Sequence, residues 1–164
     1  MLKLFKAQLV YESEANQQVF QTLCAIPRKA RHATSFPKAL SLLGHIEAIR
    51  HVWLYRIDST SVNKPTGFLF EGWSLSRLQT YMHLIDNQWS AYFQQLKPQA
   101  LFQYVSFPTE NGQTMECRLI DIFEHLLTHG CYHRGQIALL IRQMGGTPMA
   151  TDRIQWLQRP CYTL

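Results

Sequence analysis

One segment of the chain restricts the fold more than any other, because its apolar residues keep a helical spacing without a break between residues 75 and 96. The residues that recur at intervals of three and four are Leu75, Leu78, Met82, Ile85, Trp89, Tyr92 and Leu96. This spacing places all of them on one face of an α-helix. Such a face must be buried against other elements, so the segment predicts a bundle helix that Ser74 caps and Lys97-Pro98 ends.

Three further long helices are predicted from similar patterns. The first covers about residues 3–26 and stops before Pro27, which cannot continue a helix. The second starts at Ser35, which resembles an N-cap, and runs to about residue 57. The fourth extends from about residue 117 to the Gly145-Gly146 pair. The predicted core residues are Phe5, Leu9, Val19, Phe20 and Leu23 on the first helix; Leu42, Ile46, Ile49, Trp53 and Ile57 on the second; and Leu119, Ile122, Leu126, His129, His133, Gln136 and Leu140 on the fourth.

The segments between these helices predict a loop, a hairpin and a short closing turn. Residues 59–73 are rich in Ser, Thr, Asn, Pro and Gly and predict a loop. Asn111-Gly112 separates two β-prone runs, 101–107 and 113–117, which is a β-hairpin pattern. Residues 152–158 predict a last turn or short helix. We therefore expect an all-α chain, a four-helix bundle with a small β-hairpin before the last long helix, forming one domain over residues 1–164.

Composition excludes some classes of protein and leaves others open. No stretch reaches 18 consecutive apolar residues, so no membrane-spanning helix is expected. The net charge of +5 raises nucleic-acid binding as a hypothesis, but the basic residues are scattered apart from a cluster at 28–32. The four cysteines lack Cys-x-x-Cys spacing and disulfide-scaffold density. Reduced thiols in a cytoplasmic protein are the simplest interpretation.

Three histidines recur at intervals of four on the fourth helix: His125, His129 and His133. Residues four apart lie about one turn apart on one helix face, where two imidazoles can converge on one metal ion. His129 and His133 also continue the apolar stripe of this helix, and a buried imidazole without a partner is unfavourable. Bundle cores commonly hold metals through side chains on facing helices. A core histidine can also simply be hydrogen-bonded to its neighbours, which is the alternative interpretation.

A third ligand has to come from another helix, and the second helix offers His45 and His51. His45 borders the predicted apolar stripe, whereas His51 lies roughly 200° from Ile49 on the helical wheel and is expected to face solvent. His83 falls on the polar face of the third helix and His32 in a loop. His45 is therefore the better choice.

The sequence thus predicts a metal site of three neutral imidazoles, from His45, His129 and His133. Three protein ligands leave room for water or substrate, which is typical of a catalytic zinc site. We expect a divalent metal, zinc or nickel first, although imidazole also suits copper and iron. The role of His125 stays open between a fourth ligand, a partner of a ligand and a surface residue. Arg134 is expected to form a structural ion pair, with binding of a substrate anion as the alternative, and Gln136 to form hydrogen bonds within the bundle or at the site.

The segment from His125 through His133-Arg134-Gly135-Gln136 to Pro148 resembles the signature helix of the DinB family of DinB/YfiT-like metalloenzymes. Leu43-Gly44-His45 to Trp53, the hairpin with Tyr104 and Asn111-Gly112-Gln113, and the tail 151–156 are also similar to that family. The first helix departs from it, since Tyr11 to Asn16 lacks a tryptophan that the family often carries. That departure leaves pocket details that depend on the tryptophan open.

The resemblance implies an up-down-down-up bundle and a divalent metal bound by His45, His129 and His133. Family members are often homodimers, and the characterised enzymes act on small molecules with low-molecular-weight thiols such as bacillithiol, mycothiol or glutathione. Three hypotheses follow: a metal-dependent thiol S-transferase or hydrolase, a non-catalytic metal-binding stress-response protein, and a nucleic-acid-binding protein. The last rests on net charge alone.

Overall fold

The computed structural model describes residues 1–65, 72–109 and 111–158, in which four long helices form the body of the protein. The helices are α1 (Leu2–Ala25), α2 (Ser35–Ile57), α3 (Leu75–Gln95), α4 (Leu119–Gln143) and the short α5 (Arg153–Leu157), with 3₁₀ turns at Arg28–His32 and Pro98–Phe102. Two strands, β1 (Tyr104–Pro108) and β2 (Thr114–Arg118), precede α4. The described part of the chain holds no helix that is long and apolar enough to cross a membrane. Part of the loop predicted at 59–73 lies outside the described residues.

Two of the predicted helix starts can be compared directly with the structure. Ser74 caps α3 as predicted, since its hydroxyl accepts a hydrogen bond from the backbone N–H of Arg77 at 3.2 Å. The prediction that Ser35 caps α2 is wrong, because the cap position is Thr34 and its side chain makes no capping bond. The Ser35 hydroxyl donates instead to Oε1 of Gln143 at 3.0 Å. This bond joins the first residue of α2 to the last residue of α4, so the two helices run antiparallel.

Contacts between α1 and α4 show that these helices run in the same direction. The rings of Phe5 and Phe123 lie 5.7 Å apart near the two helix starts, and Glu12 binds Arg134 further along both helices. The predicted apolar stripe of α1 is confirmed, because all five of its residues are buried.

The cores at the two ends of the bundle give the direction of α3. Leu43 of α2 shares one buried cluster with Leu78 of α3, and Leu54 shares the other with Trp89. The order of residues along α2 therefore follows the order along α3, and the two helices are parallel. With the antiparallel α2 and α4 and the parallel α1 and α4, this gives the up-down-down-up bundle that the resemblance implies.

The β-hairpin is confirmed, although its strands are displaced from their predicted bounds. The strands pair antiparallel from Tyr104 opposite Arg118 to Pro108 opposite Thr114. The predicted first strand, 101–107, begins only at Tyr104. Residues 98–102 form a 3₁₀ turn instead, with Pro98 at its start. Gly112 has a φ of +79°, a conformation that favours glycine and suits the turn. The backbone N–H of Leu119 donates to the carbonyl of Gln103 at 3.0 Å, which ties the hairpin to the start of α4.

The predicted apolar stripe of α2 packs against the core, but most of its residues lie at the edge of the buried surface. Of its five residues only Ile46 is buried, and the others are half-buried. The residues that α2 buries are Ala39, Leu40, Leu43, Gly44, Ile46, Glu47, Ala48, Arg50, His51, Val52 and Leu54. They lie around most of the helix because α1, α3 and α4 all contact it. A helix buried on several sides has no single stripe to find.

The cysteines fit the expectation of unpaired thiols as far as the structure describes them. Within the described residues, Cys24, Cys117 and Cys131 form no disulfide with one another. Cys161 lies outside the described residues.

Candidate metal centre

Three of the seven histidines come together between α2 and α4. His45 projects from α2 toward His129 and His133 of α4, and one ring nitrogen from each lies within 4.8 Å of the other two. Nε2 of His129 is 3.2 Å from Nε2 of His45. All three side chains are half-buried. Among the histidine, cysteine and acidic side chains of the described residues, these three histidines are the group close enough together to bind one metal ion.

The spacing of the nitrogens can be tested against metal coordination. Two nitrogens at zinc–imidazole distance are about 3.3 Å apart for a tetrahedral angle and about 2.9 Å apart for a right angle. The His45 to His129 distance of 3.2 Å lies between these values. Both imidazoles could therefore share one ion with little movement. The residues present fit a divalent metal, in agreement with the prediction from sequence.

Gln136 fixes the orientation of one of the three rings. Its Oε1 lies 2.7 Å from Nδ1 of His133, and because an amide oxygen only accepts, Nδ1 carries the proton and donates it. Nε2 of His133 is then the unprotonated nitrogen with a lone pair for a metal. A histidine that binds metal usually donates its other N–H to such an acceptor, and its tautomer is set by that bond. Gln136 therefore fills both roles expected for it. Its hydrogen bond lies within the bundle, and that bond orients a histidine of the site.

The surroundings favour neutral imidazole at the centre of the group. Burial, and after it the neighbouring His133, His45 and His125, together lower the pKa of His129 to about 4. At neutral pH this ring keeps its lone pairs. A metal ligand has to be unprotonated, so little free energy is needed to prepare His129 for binding.

His125 lies one turn from the group but is not part of it. Its side chain is exposed, and its ring is 5.4 Å from that of His129 and 5.8 Å from that of Trp53. Of the three roles left open for His125, its position fits a surface residue beside the site. His83 and His32 are exposed as well and lie outside the group, as expected.

The core-facing side of α4 differs from the prediction in its second half. The buried residues there are Gly130, Arg134, Ile137 and Ile141, whereas His129 and His133 are half-buried. The histidines therefore lie at the border of the core, on the side of α4 that faces α2. The sequence pattern was ambiguous because a helix turns about 100° per residue, and neighbouring positions can each continue a stripe. Their half-buried side chains keep part of the group at the protein surface.

The expectation that His51 faces solvent is wrong. Its side chain is 5% exposed, and both ring nitrogens are bonded. Nε2 lies 2.9 Å from the carbonyl of Asn63 and so donates to it, while Nδ1 accepts from the hydroxyl of Tyr81 at 2.8 Å. Burial lowers the pKa of His51, which keeps the ring neutral. His51 holds the segment after α2 against α3 and takes no part in the histidine group.

Arg134, which follows His133 on α4, forms a buried ion pair with α1. Its guanidinium donates two bonds of 2.7 Å to the carboxylate of Glu12 and one of 2.9 Å to Oδ1 of Asn16. Arg134 is 2% exposed and Glu12 1%. Burial opposes the charge of Arg134, but the bonds to Glu12 outweigh it and raise the pKa. The structural ion pair expected for Arg134 is confirmed.

The same network continues from α1 into α2 and α3. Nδ2 of Asn16 donates to Glu47 at 2.8 Å, and Arg50 bridges Glu47 at 2.6 Å and Asp86 at 2.8 Å. Burial opposes the charge of Arg50 too, but the two carboxylates outweigh it and raise the pKa. The helical patterns do not predict this network, although Glu12 and Asn16 stand among the apolar positions of α1 and are a signal of it.

Gly130 allows α1 and α4 to approach closely beside the histidines. A methyl group added there would overlap Oε2 of Glu12 and lie 2.8 Å from Nη1 of Arg134. The glycine between His129 and His133 therefore makes room for the buried ion pair. The sequence analysis assigned it no role.

Comparison with known proteins identifies the family. The model of the DinB family matches residues 1–160. Protein DinB of Bacillus subtilis (strain 168) is 21% identical over 151 residues, which cover 87% of this chain and 87% of that protein. Because the family model spans nearly the whole chain, the protein belongs to the DinB family.

Proposed function

We propose that the protein is a divalent-metal-dependent enzyme, a thiol S-transferase that binds its metal through His45, His129 and His133. The observation that carries the proposal is the convergence of three imidazole nitrogens within 4.8 Å, two of them 3.2 Å apart. Membership of the DinB family is in keeping with this donor set. Zinc or nickel suits three imidazoles.

The residues around the site support a reactive centre more than a purely structural one. A structural zinc site normally has four protein ligands, and here the described residues bring three together. A bound divalent metal would lower the pKa of a coordinated thiol or water and so supply a nucleophile at neutral pH. The protein's part is to keep His129 neutral and to hold His133 in one tautomer through Gln136. Tyr132 is 65% exposed with its ring 5.1 Å from His133, so it can form a wall for a bound molecule.

The choice of a transferase over a hydrolase rests on the two buried glutamates of the bundle. The buried carboxylates of Glu12 and Glu47 already bind Arg134 and Arg50. Neither is available to accept a proton from an attacking water. Transfer of a thiol needs no separate base once its sulfur is a thiolate, and a low-molecular-weight thiol would be the cosubstrate.

The test is thiol consumption by metal-loaded protein. Wild type and His129→Ala would be treated in the same way with zinc or nickel. Both would then be incubated with bacillithiol, mycothiol or glutathione and a panel of alkyl and epoxide electrophiles. We expect adduct formation above the uncatalysed rate with wild type and none with His129→Ala. The exposed His83→Ala should match wild type. Equal rates for wild type and His129→Ala across all thiols would refute the transferase.

A non-catalytic metal-binding role is the second candidate, favoured by one observation. His45 lies on α2 and the other two histidines on α4. An ion bound by all three would therefore cross-link the two helices and stabilise the fold. In that case removing the metal should lower the melting temperature steeply, and no turnover should be found. Turnover by the loaded protein distinguishes the two roles.

A further inference from the structure

The positive charge of the protein is concentrated at one end of the bundle. There α1 and α4 finish and α2 and α3 begin, so that residues 26–42, 72–79 and 138–146 lie together and share one apolar cluster. These three ranges are named the basic end. None of their residues is Asp or Glu. Their cations are Arg28, Lys29, Arg31, Lys38, Arg77 and Arg142.

The rest of the described chain is electrically balanced. Outside the basic end, its nine Lys and Arg residues match its nine Asp and Glu residues, so the excess of positive charge lies at this end. The sequence shows a basic cluster at 28–32, and the fold adds Lys38, Arg77 and Arg142 to it. Five of the six side chains are exposed, and Arg31 is half-buried. The charge is therefore on the surface, where a partner can reach it.

The described acids lie too far from the basic end to neutralise its charge. None of the six cations forms an ion pair with a described residue. The nearest acids on the long helices are at least eleven residues from the helix terminus at this end; they are Glu14, Glu47, Asp86 and Glu124. Eleven residues of helix span about 16 Å. Salt screens exposed charges beyond about 8 Å at physiological ionic strength. Beyond α4, Asp152 follows Thr151, which lies against Tyr11 in the middle of α1.

The side chains at the basic end favour nucleic acid over an acidic protein as the partner. Protein interfaces are anchored by apolar and aromatic side chains in their buried centre. Within the three ranges, Leu139 is the large apolar side chain that is exposed. Interfaces with nucleic acid are more polar and much more positively charged. A strongly positive surface with few apolar anchors is therefore complementary to a phosphate backbone.

Two arginines at the basic end present planar groups on which a base can stack. The guanidinium of Arg77 lies 4.3 Å over the ring of Trp73, and that of Arg31 lies 5.5 Å over the ring of Phe36. Arg31 is also fixed by two hydrogen bonds to carbonyls at the end of α1. Unpaired bases stack on aromatic rings and on guanidinium planes. A duplex is read by a helix or ribbon that enters its groove, whereas this surface consists of helix termini and turns.

We propose that the basic end binds single-stranded nucleic acid. The six cations would lie along its phosphates, and its bases would stack on Arg77 and Arg31. Helices in a bundle pack about 8–10 Å apart, so the end is about 20 Å wide and suits about four to six nucleotides. The proposal concerns a second surface and does not depend on the metal or on thiol transfer.

Fluorescence anisotropy of a labelled strand tests the proposal on the full-length protein purified without a tag. A twenty-nucleotide deoxythymidine strand would be titrated with protein at concentrations of NaCl between 20 and 200 mM. We expect saturable binding that weakens steeply with salt. Each phosphate contact of a single strand contributes about −0.7 to the slope of log K against log salt concentration, so six contacts predict a slope of about −4.

Two pairs of charge reversals separate the position of the charge from its total. Lys38→Glu with Arg142→Glu changes the basic end. Lys3→Glu with Lys97→Glu makes the same change in net charge with exposed residues at the opposite end. The first pair should weaken binding at least about tenfold and make the slope shallower by about 1.4. The second pair should keep the wild-type slope and stay within about threefold of its affinity.

A pair of charge-conserving substitutions tests the stacking. Arg77→Lys keeps the charge and removes the planar group, so it should weaken binding at least about threefold with an unchanged salt slope. Arg142→Lys should match wild type, because the described residues place no ring under Arg142.

Four results would overturn the proposal. The strand fails to bind at 20 mM NaCl, or the two charge-reversal pairs weaken binding equally, which would make net charge the cause. A twenty-residue polyglutamate or a DNA duplex competes as well as the unlabelled strand, or Arg77→Lys binds the strand like wild type.

Discussion

Replacing Gly130 with alanine tests whether the buried ion pair behind the histidines depends on a missing side chain. The added methyl would overlap Oε2 of Glu12 and lie 2.8 Å from Nη1 of Arg134, inside normal contact distance. The Glu12 carboxylate is 1% exposed and is bonded to Arg134 through both oxygens. It can move only by breaking at least one of those bonds.

The size of the effect follows from two opposing terms. Loss of one partner of a buried ion pair costs about 3–5 kcal/mol, and displacement without removal should cost less. Alanine gains about 1 kcal/mol over glycine in helix propensity. We expect Gly130→Ala to lower the free energy of unfolding by about 2 kcal/mol. At Gly135 of the same helix a methyl meets nothing within 4 Å, so Gly135→Ala should raise it by up to about 1 kcal/mol.

Urea unfolding followed by circular dichroism at 222 nm measures both variants on the same scale. A double-mutant cycle then locates the cause: in a Glu12→Ala background the methyl at 130 has room, and the loss should largely disappear. If Gly130→Ala stabilises the protein as Gly135→Ala does, the close approach of α1 and α4 is not what this glycine serves, and the reasoning fails.

Three further predictions follow from hydrogen bonds and protonation. Tyr81→Phe removes the donor to His51 and should cost about 1 kcal/mol of unfolding free energy in the urea assay, whereas an unchanged midpoint would contradict the bond. Gln136→Leu leaves Nδ1 of His133 without its acceptor and should weaken metal affinity at least about tenfold in a chelator competition, with equal affinity as the contrary result. Because burial holds the pKa of His129 at about 4 against an ordinary 6.5, the unfolded chain takes up its proton first as the pH falls. Stability of the metal-free protein should be complete above pH 6.5 and decline toward pH 4, and this part of the decline should be missing in His129→Gln.

Residues whose role depends on one helix were predictable from the sequence. The stripe on α3 predicted Leu78, Met82, Ile85 and Trp89 as core, and all four are buried, because α3 buries one face. The i+4 spacing brought His129 and His133 together for the same reason. Helical periodicity is enough for both.

Residues whose role depends on a neighbouring helix were not predictable in the same way. The sequence predicts an exposed His51 because its position on the wheel is opposite Ile49, whereas α2 is buried on several sides. Glu12 and Arg50 are charged residues whose burial becomes favourable only once their partners on other helices are known. Gly130 has no side chain to place in a pattern, and the space it leaves matters only against α1. A single sequence does not show which helices meet.

The central claim is that His45, His129 and His133 bind one divalent metal ion. The most direct test is metal content by mass spectrometry of the protein purified without a histidine tag, for wild type and for the alanine variant of each of the three. Two exposed histidines, His83 and His125, supply matched controls. We predict close to one equivalent of metal in wild type and in both controls, and loss of the metal in all three ligand variants. A wild-type protein that stays empty after incubation with zinc and with nickel would contradict the claim.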